Sequence, residues 1–248
     1  MKIVAVIPAR YSSTRFAGKV LAKDTGKFLI QHTYERACLA KLPQKVIIAA
    51  DDQKVAAAAR TFGAECVLTS PEHQSGTDRI AEAVRDMDVE IVVNLQADEP
   101  EIDPANIDHL ARLLVENPDY PMATLASAFA NAKQVADPNI VKVIVDRKGG
   151  AIYFSRSPIP YDREKAGVGD IRQYLRHIGI YAYRKKFLLE ITALPQSPLE
   201  KIEKLEQLRV IENGYGILVG KVKHTCDGID TPEQYAEFVK RYKEREGP

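Results

Sequence analysis

The sequence predicts an α/β protein on a mostly parallel sheet, with a mixed-strand subdomain inserted in its second half. Three observations carry this. Short β-branched apolar runs alternate with helix-spaced patterns through the first half, as in successive βαβ units. Two of those runs, Lys45–Ala50 and Ile91-Val92-Val93, are apolar without alternation, as strands covered on both faces are. Beyond residue 120 the strand patterns follow one another with less helix between them.

Strands are expected at Lys2–Pro8, Lys45–Ala50, Glu65–Leu68 and Glu90–Leu95, with helices at Phe28–Leu39, Gln53–Phe62 and Thr77–Asp86. Pro104–Glu116 is a further helix, because proline is favoured in a first turn. In the second half the strands are Met122–Phe129, Val141–Asp146, Ala151–Phe154 and Arg176–Tyr183, with a turn at Arg147-Lys148-Gly149-Gly150. Asp162–Gln173, charged and broken by Gly167 and Gly169, is expected to be a mobile loop. Helices return at Lys185–Thr192, Pro198–Glu212 and Thr231–Lys243. The whole of 1–248 is read as one domain, with 121–215 as the insertion.

The 248 residues, 45% hydrophobic and 28% charged, are too apolar for a disordered chain. Thirty-five basic against 34 acidic residues leave +1, so no overall field recruits nucleic acid or an anionic membrane. The apolar start stops at Pro8, Arg10 follows without a cleavage pattern, and no run approaches the ~18 apolar residues of a bilayer span. Cys38, Cys66 and Cys226 form no pair or metal spacing. A soluble, cytoplasmic protein is expected.

Four strings invite chemistry. Pro8–Lys19 follows the first strand, where open α/β sheets bind ligands. Its Arg10, Arg15 and Lys19 can offset a triphosphate, while the small Ser12, Ser13 and Gly18 beyond Ala9 let backbone N–H groups approach. A solvated basic loop is the plainer alternative; it is neither a Walker A loop nor a GxGxxG fingerprint. In Asn94–Pro100, Asp98 at a strand's carboxyl end suits Mg²⁺, with Gln96 beside it; an acidic turn is the alternative. In Cys226–Glu233, Asp-Thr-Pro-Glu starts a helix well, so Asp230 is either a cap or a ligand, and Asp227 competes with it. In His73–Arg79, Ser75 and Gly76 open a helix whose N–H groups can meet a polar ligand, or merely cap it. Further along, His177 and Tyr181 share a strand face, Arg156 follows an apolar strand, and Glu206-Gln207 sits mid-helix. Taken singly, these last read as a core histidine, a surface arginine and a solvated helix face. No GxSxG elbow or HExxH is present.

In order and spacing these strings resemble one family, the CMP-Kdo synthetases (3-deoxy-manno-octulosonate cytidylyltransferases). The landmarks are Ile7–Arg15, His73–Arg79, Gln96–Pro100, Tyr153–Arg156, Arg176–Tyr181, Ser197–Glu200, Glu203–Arg209 and Gly228–Pro232. Departures are Phe16-Ala17 for the family's usual Leu-Pro, Val20 for proline and Ala97 for glycine. The resemblance implies a Rossmann-like nucleotide-diphosphosugar transferase fold whose insertion binds sugar and makes a homodimer. It implies transfer of CMP from CTP to Kdo, an eight-carbon sugar acid, giving CMP-Kdo and pyrophosphate for lipopolysaccharide. By resemblance Asp98 and Asp230 hold Mg²⁺, and Arg10, Arg15 and Lys19 neutralise the leaving phosphates. Ser75, Gly76, Arg79 and Gln96 fix the cytidine, and Arg156, His177, Tyr181, Glu206 and Gln207 bind Kdo. An 8-amino-Kdo or sialic-type acid, or a non-catalytic nucleotide-binding regulator, are the alternatives.

Overall fold

The computed structural model describes residues 1–12, 16–223 and 228–246. In chain order the elements are β1 (Ile3–Ala9), α1 (Leu29–Ala37), β2 (Lys45–Ala50), α2 (Gln53–Thr61), β3 (Glu65–Leu68), α3 (Gly76–Val84), β4 (Ile91–Asn94) and α4 (Pro104–Glu116). There follow β5 (Met122–Ala128), α5 (Ala132–Ala136), β6 (Lys142–Val145), β7 (Ala151–Ser155), β8 (Leu175–Arg184), α6 (Lys185–Ala193), α7 (Pro198–Glu203), α8 (Gln207–Glu212), β9 (Ile217–Lys221) and α9 (Pro232–Glu246). No described helix is long and apolar enough to cross a membrane.

The chain divides into two compact units, Met1–Asp108 with Cys226–Pro248, and His109–Thr225. The second unit takes in the end of α4 and all of β9.

In the first unit β3, β2, β1 and β4 lie side by side in that order, all parallel. Val4–Ile7, Ile47–Ala50 and Ile91–Val93 are fully buried, which is why those runs carry no polar alternation. Alanines at 56, 58 and 59 of α2 are buried, so their small side chains allow close packing. The strand order reverses direction at β1, with β2 on one side and β4 on the other. A crevice for ligands opens beyond the carboxyl ends of strands at such a reversal, and the two loops leaving there are those that follow β1 and β4. The C-terminal α9 belongs to this unit: Tyr235 and Phe238 join Leu29 and Ile229 in one buried cluster. The His32 ring meets Phe238 and Tyr242 edge-on. Phe16, which departs from the family pattern, packs on this cluster with its ring 5.5 Å from Tyr235.

In the second unit β5 runs antiparallel to β8 and parallel to β9, while β6 pairs antiparallel with both β7 and β8. Sequence patterning missed β9 because its apolar run is short and flanked by glycines. Gly220 has a steric reason: a Cβ there would stand 2.7 Å from both His109 Nε2 and Leu113 Cδ1 of α4. The Asp162–Gln173 segment supplies its own hydrogen bonds. Asp162 Oδ1 accepts the N–H groups of Glu164 and Lys165, and Tyr174 Oη ties Gly169 N–H to Pro160 O.

Candidate active site

β1 delivers Ala9, itself fully buried, to the mouth of the first loop. Asp51, just past β2, clamps that exit twice. Its N–H donates to Ala9 O at 3.3 Å, and its Oδ1 accepts the Tyr11 N–H at 2.9 Å. The Tyr11 ring lies under the Lys54 ammonium, 4.6 Å away. Between the clamped residues Arg10 is exposed, and its Nη2 donates to His73 O at 3.0 Å. Ser12 is exposed, whereas Ser13 and Arg15 lie outside the described residues.

The loop re-enters the structure through a 3₁₀ turn at Lys19–Leu21, where Gly18 takes the left-handed conformation (φ 66°) that favours glycine. Lys19 is buried, only 9% exposed. Its Nζ donates to Asp98 Oδ2 at 2.6 Å, to Ile229 O at 2.6 Å and towards Asp230 Oδ1 at 3.3 Å. Three segments far apart in sequence therefore meet at one ammonium. Asp98 comes from the loop after β4, whose turn is closed by Glu99 N–H on Gln96 O and by Ile229 N–H on Asp98 O. Asp230 arrives with α9. The sequence left a helix cap open as its role, but the cap is Thr231, one residue later. Thr231 Oγ1 accepts the Gln234 N–H, and Gln234 Oε1 accepts the N–H groups of Asp230 and Thr231, the reciprocal pattern of a capping box. Asp227 lies outside the described residues.

These two carboxylates are donors of the kind Mg²⁺ takes. Hard oxygen donors converge on one cationic centre, and Mg²⁺ usually takes one or two carboxylates with the remainder from water and phosphate. No three His, Cys, Asp or Glu side chains cluster among the described residues, so a bound ion would need such outside oxygens.

Ser75 caps α3 by accepting the Asp78 N–H at 3.1 Å, and a Cβ on Gly76 would press on Pro8 Cγ at 3.3 Å. The helix start thus lies against the exit of β1. Arg79, expected to fix the cytidine, is fully buried. Its Nη1 donates to Thr69 Oγ1 at 2.7 Å, its Nη2 points to Asp51 Oδ2 at 3.4 Å, and its Nε has no partner among the described residues. A guanidinium with no surface cannot contact a ligand in this arrangement; what it holds is Asp51. Gln96 is part-exposed in the loop after β4.

The expected sugar residues lie in the second unit. Arg156 follows β7 and is braced on every side. Its Nε donates to Glu203 O at 2.6 Å and Nη1 to Pro138 O at 3.0 Å, and its N–H donates to Glu203 Oε2 at 3.0 Å. Glu203 Oε1 accepts from Ser155 Oγ at 2.6 Å. Lys142, fully buried, donates its ammonium to Asp137 O, Ile140 O and Arg156 O; burial lowers its pKa. His177 and Tyr181 do share a face of β8, with ring centroids 5.5 Å apart. Burial pushes the His177 imidazole down to about 3 and the Tyr181 phenol well up, the latter helped by Tyr183 and Glu206. Glu206 and Gln207 are not mid-helix as expected. Lys204 turns left-handed (φ 54°) and splits the segment into α7 and α8, with Glu206 as the cap of α8. The Glu203 carboxylate and carbonyl, drawn to Ser155 and Arg156, outweigh one turn of helix. Gln207 is buried at 4% exposure, and its Nε2 lacks a partner among the described residues.

Asp51, Lys142 and Glu203 were not singled out from sequence. Asp51 carries the same signal as Asp98, an acid at the carboxyl end of a parallel strand. Lys142 stood out as a charge inside the run Ile140–Val145.

Comparison with known proteins agrees across fold and sequence. A family model described as cytidylyltransferase matches residues 4–222. A 3-deoxy-manno-octulosonate cytidylyltransferase of Solibacter usitatus is 48% identical over 242 residues, 98% of this chain and 95% of that protein. The protein of that name from Syntrophotalea carbinolica is 49% identical over 94% of this chain and 95% of its own. The solved structure of a CMP:2-keto-3-deoxy-manno-octonic acid synthetase complexed with CTP superposes with a TM-score of 0.92 at 42% identity, covering 99% of this chain and 100% of that one. A cytidylyltransferase from Leptospira borgpetersenii, at 18% identity and a TM-score of 0.62, shares the fold.

Proposed function

Because the chain belongs to the 3-deoxy-manno-octulosonate cytidylyltransferase family, we propose that it transfers CMP from CTP to Kdo, releasing pyrophosphate and making CMP-Kdo for lipopolysaccharide. The observation that carries this reading is the convergence of Lys19, Asp98 and Asp230 beyond β1 and β4.

The anomeric hydroxyl of Kdo attacks the α-phosphorus of CTP, the bond from that phosphorus to the α–β bridging oxygen breaks with its electron pair leaving on pyrophosphate, and the hydroxyl proton passes to solvent. Such transfers depend chiefly on positioning and on charge stabilisation. Asp98 and Asp230 are the residues that would hold Mg²⁺. When bound, that ion supplies polarisation of the α-phosphate and a more acidic attacking hydroxyl. Lys19, Arg10 and Arg15 neutralise the leaving pyrophosphate. Asp51 and Arg79 fix the phosphate loop against α3, whose start, with Ser75 and Gly76, and Gln96 orient the cytidine. Arg156, His177, Tyr181, Glu206 and Gln207 take the sugar acid, and Gln207 Nε2, without a partner among the described residues, supports a polar occupant.

The scattered cysteines support a reducing compartment, the cytoplasm. The exposed Ile152, Tyr161 and Ile202 of the second unit support a homodimer. The test is pyrophosphate release from CTP and Mg²⁺ with Kdo, N-acetylneuraminate or the 8-amino analogue. Release that needs Kdo and stops with EDTA is expected. Release with another acid alone would move the substrate, and CTP binding without any release would turn the reading to a regulator.

A further inference from the structure

Thr124, buried in the middle of β5, has three polar neighbours and one proton to give them. Its Oγ1 lies 2.9 Å from Ile180 O, 3.1 Å from Ile178 O and 3.0 Å from His177 Nε2. The crowding comes from the sheet. Thr124 pairs with Tyr181 and the next residue, Leu125, with Ile178, so Gly179 and Ile180 bulge out of β8. Carbonyl oxygens can only accept. If the hydroxyl gave its proton to the imidazole, both carbonyls would face oxygen lone pairs at close range with no proton between. The proton therefore goes to the carbonyls, and the hydroxyl accepts from the ring. That requires hydrogen on His177 Nε2 and, in the neutral ring, leaves Nδ1 as a bare acceptor.

Nδ1 is placed to be used. No hydrogen bond to Nδ1 is made by the described residues, and His177 is only part-buried. Phe154, edge-on at 4.9 Å, and Tyr181 hold the ring plane.

We infer that Thr124 is a positioning residue that sets His177 in its Nε2–H tautomer, so that Nδ1 accepts a hydrogen bond from a hydroxyl of the sugar acid and rejects its carboxylate. This rests on the proposed sugar substrate. A carboxylate would place lone pair against lone pair; its partner is a cation such as Arg156, which keeps guanidinium N–H groups beyond those its carbonyl contacts use.

Nitrogen-15 spectra of the histidine rings at neutral pH test the tautomer directly. Wild-type protein is expected to show His177 protonated on Nε2 only, and added Kdo to shift Nδ1. Thr124→Ser should keep that pattern and a KM for Kdo within threefold of wild type. Thr124→Val should lose it and raise KM for Kdo tenfold or more, leaving KM for CTP within twofold. An Nδ1–H ring or an imidazolium in the wild type would overturn the inference, as would a Thr124→Val enzyme with unchanged KM for Kdo. If Thr124→Val does not fold, the wild-type and Thr124→Ser spectra decide. An absence of pyrophosphate release with Kdo strikes the substrate reading; a correct tautomer whose Nδ1 ignores added Kdo strikes the inference.

Discussion

Replacing Lys19 by methionine removes one charge and little volume from the meeting point of three segments. The ammonium makes two contacts of 2.6 Å and one of 3.3 Å, and is nearly buried. Breaking a buried ion pair from one side costs about 3–5 kcal/mol, because the remaining charge keeps its desolvation without its partner. The Asp98 side chain is 25% exposed and that of Asp230 43%, so solvent returns part of this, leaving about 2–3 kcal/mol. Lys19→Met should therefore unfold at lower urea in EDTA by that amount. Mg²⁺ should then act differently on the two proteins. In the wild type an ion must compete with the ammonium for Asp98 and Asp230; in the variant it does not. An ion at a hundred times its Kd stabilises by about 2.7 kcal/mol, so saturating Mg²⁺ should restore most of the variant's loss, at a lower midpoint than in the wild type. Activity should stay low, because the phosphates lose their cation. The reasoning fails if Lys19→Met matches wild type within ~0.5 kcal/mol in EDTA, or if Mg²⁺ stabilises both equally at every concentration.

Asp98→Ala should keep its fold by circular dichroism and lose about three orders of magnitude or more in turnover, the share assigned to charge stabilisation at the α-phosphate; an active variant would sink the metal assignment. Asp51→Asn keeps an acceptor for Tyr11 N–H but loses the charge facing Arg79. Its KM for CTP should rise about tenfold with KM for Kdo unchanged, a loss of about 1.4 kcal/mol, and equal effects on both substrates would contradict the clamp. In the second unit Arg209 holds Glu200 through Nε–Oε2 at 2.8 Å and Nη2–Oε1 at 2.6 Å, with Glu200 buried and the Arg209 side chain 11% exposed. Arg209→Met should cost about 3–5 kcal/mol in urea unfolding, and adding Glu200→Leu should recover much of it. The depressed His177 pKa of about 3 also sets an acid limit. Below about 6.5 the unfolded chain takes up a proton that the folded ring refuses until about 3. Stability present above 6.5 is therefore lost through that window, by about 2 kcal/mol at pH 5. His177→Gln should flatten the decline; an unchanged pH profile would contradict it.

The parallel half of the fold was legible because burial on both faces of β1, β2 and β4 leaves continuous apolar runs. Period alone therefore set the element order; the helix expected at Gln53–Phe62 ends one residue earlier, at Thr61, while Pro104–Glu116 matches. The candidate phosphate and metal residues were legible as polar residues at the carboxyl ends of those runs. Pattern could not say whether Asp230 capped a helix or faced a cation, because both roles need the same residue type at the same place; Thr231 took the cap only once Gln234 folded back on it. Nor could it show that Arg79 would be interior, since a surface arginine and a buried one read alike until the Asp51 carboxylate arrives from another strand. The split between α7 and α8 followed from Glu203 finding Ser155 and Arg156, partners about 48 residues away. Sequence determined most of the strands and helices, α5, β9 and the break between α7 and α8 excepted, because period and propensity are local. Tertiary structure decided which charges face one another and where each proton sits, because those energies fall off within a few ångströms and depend on neighbours that only folding supplies.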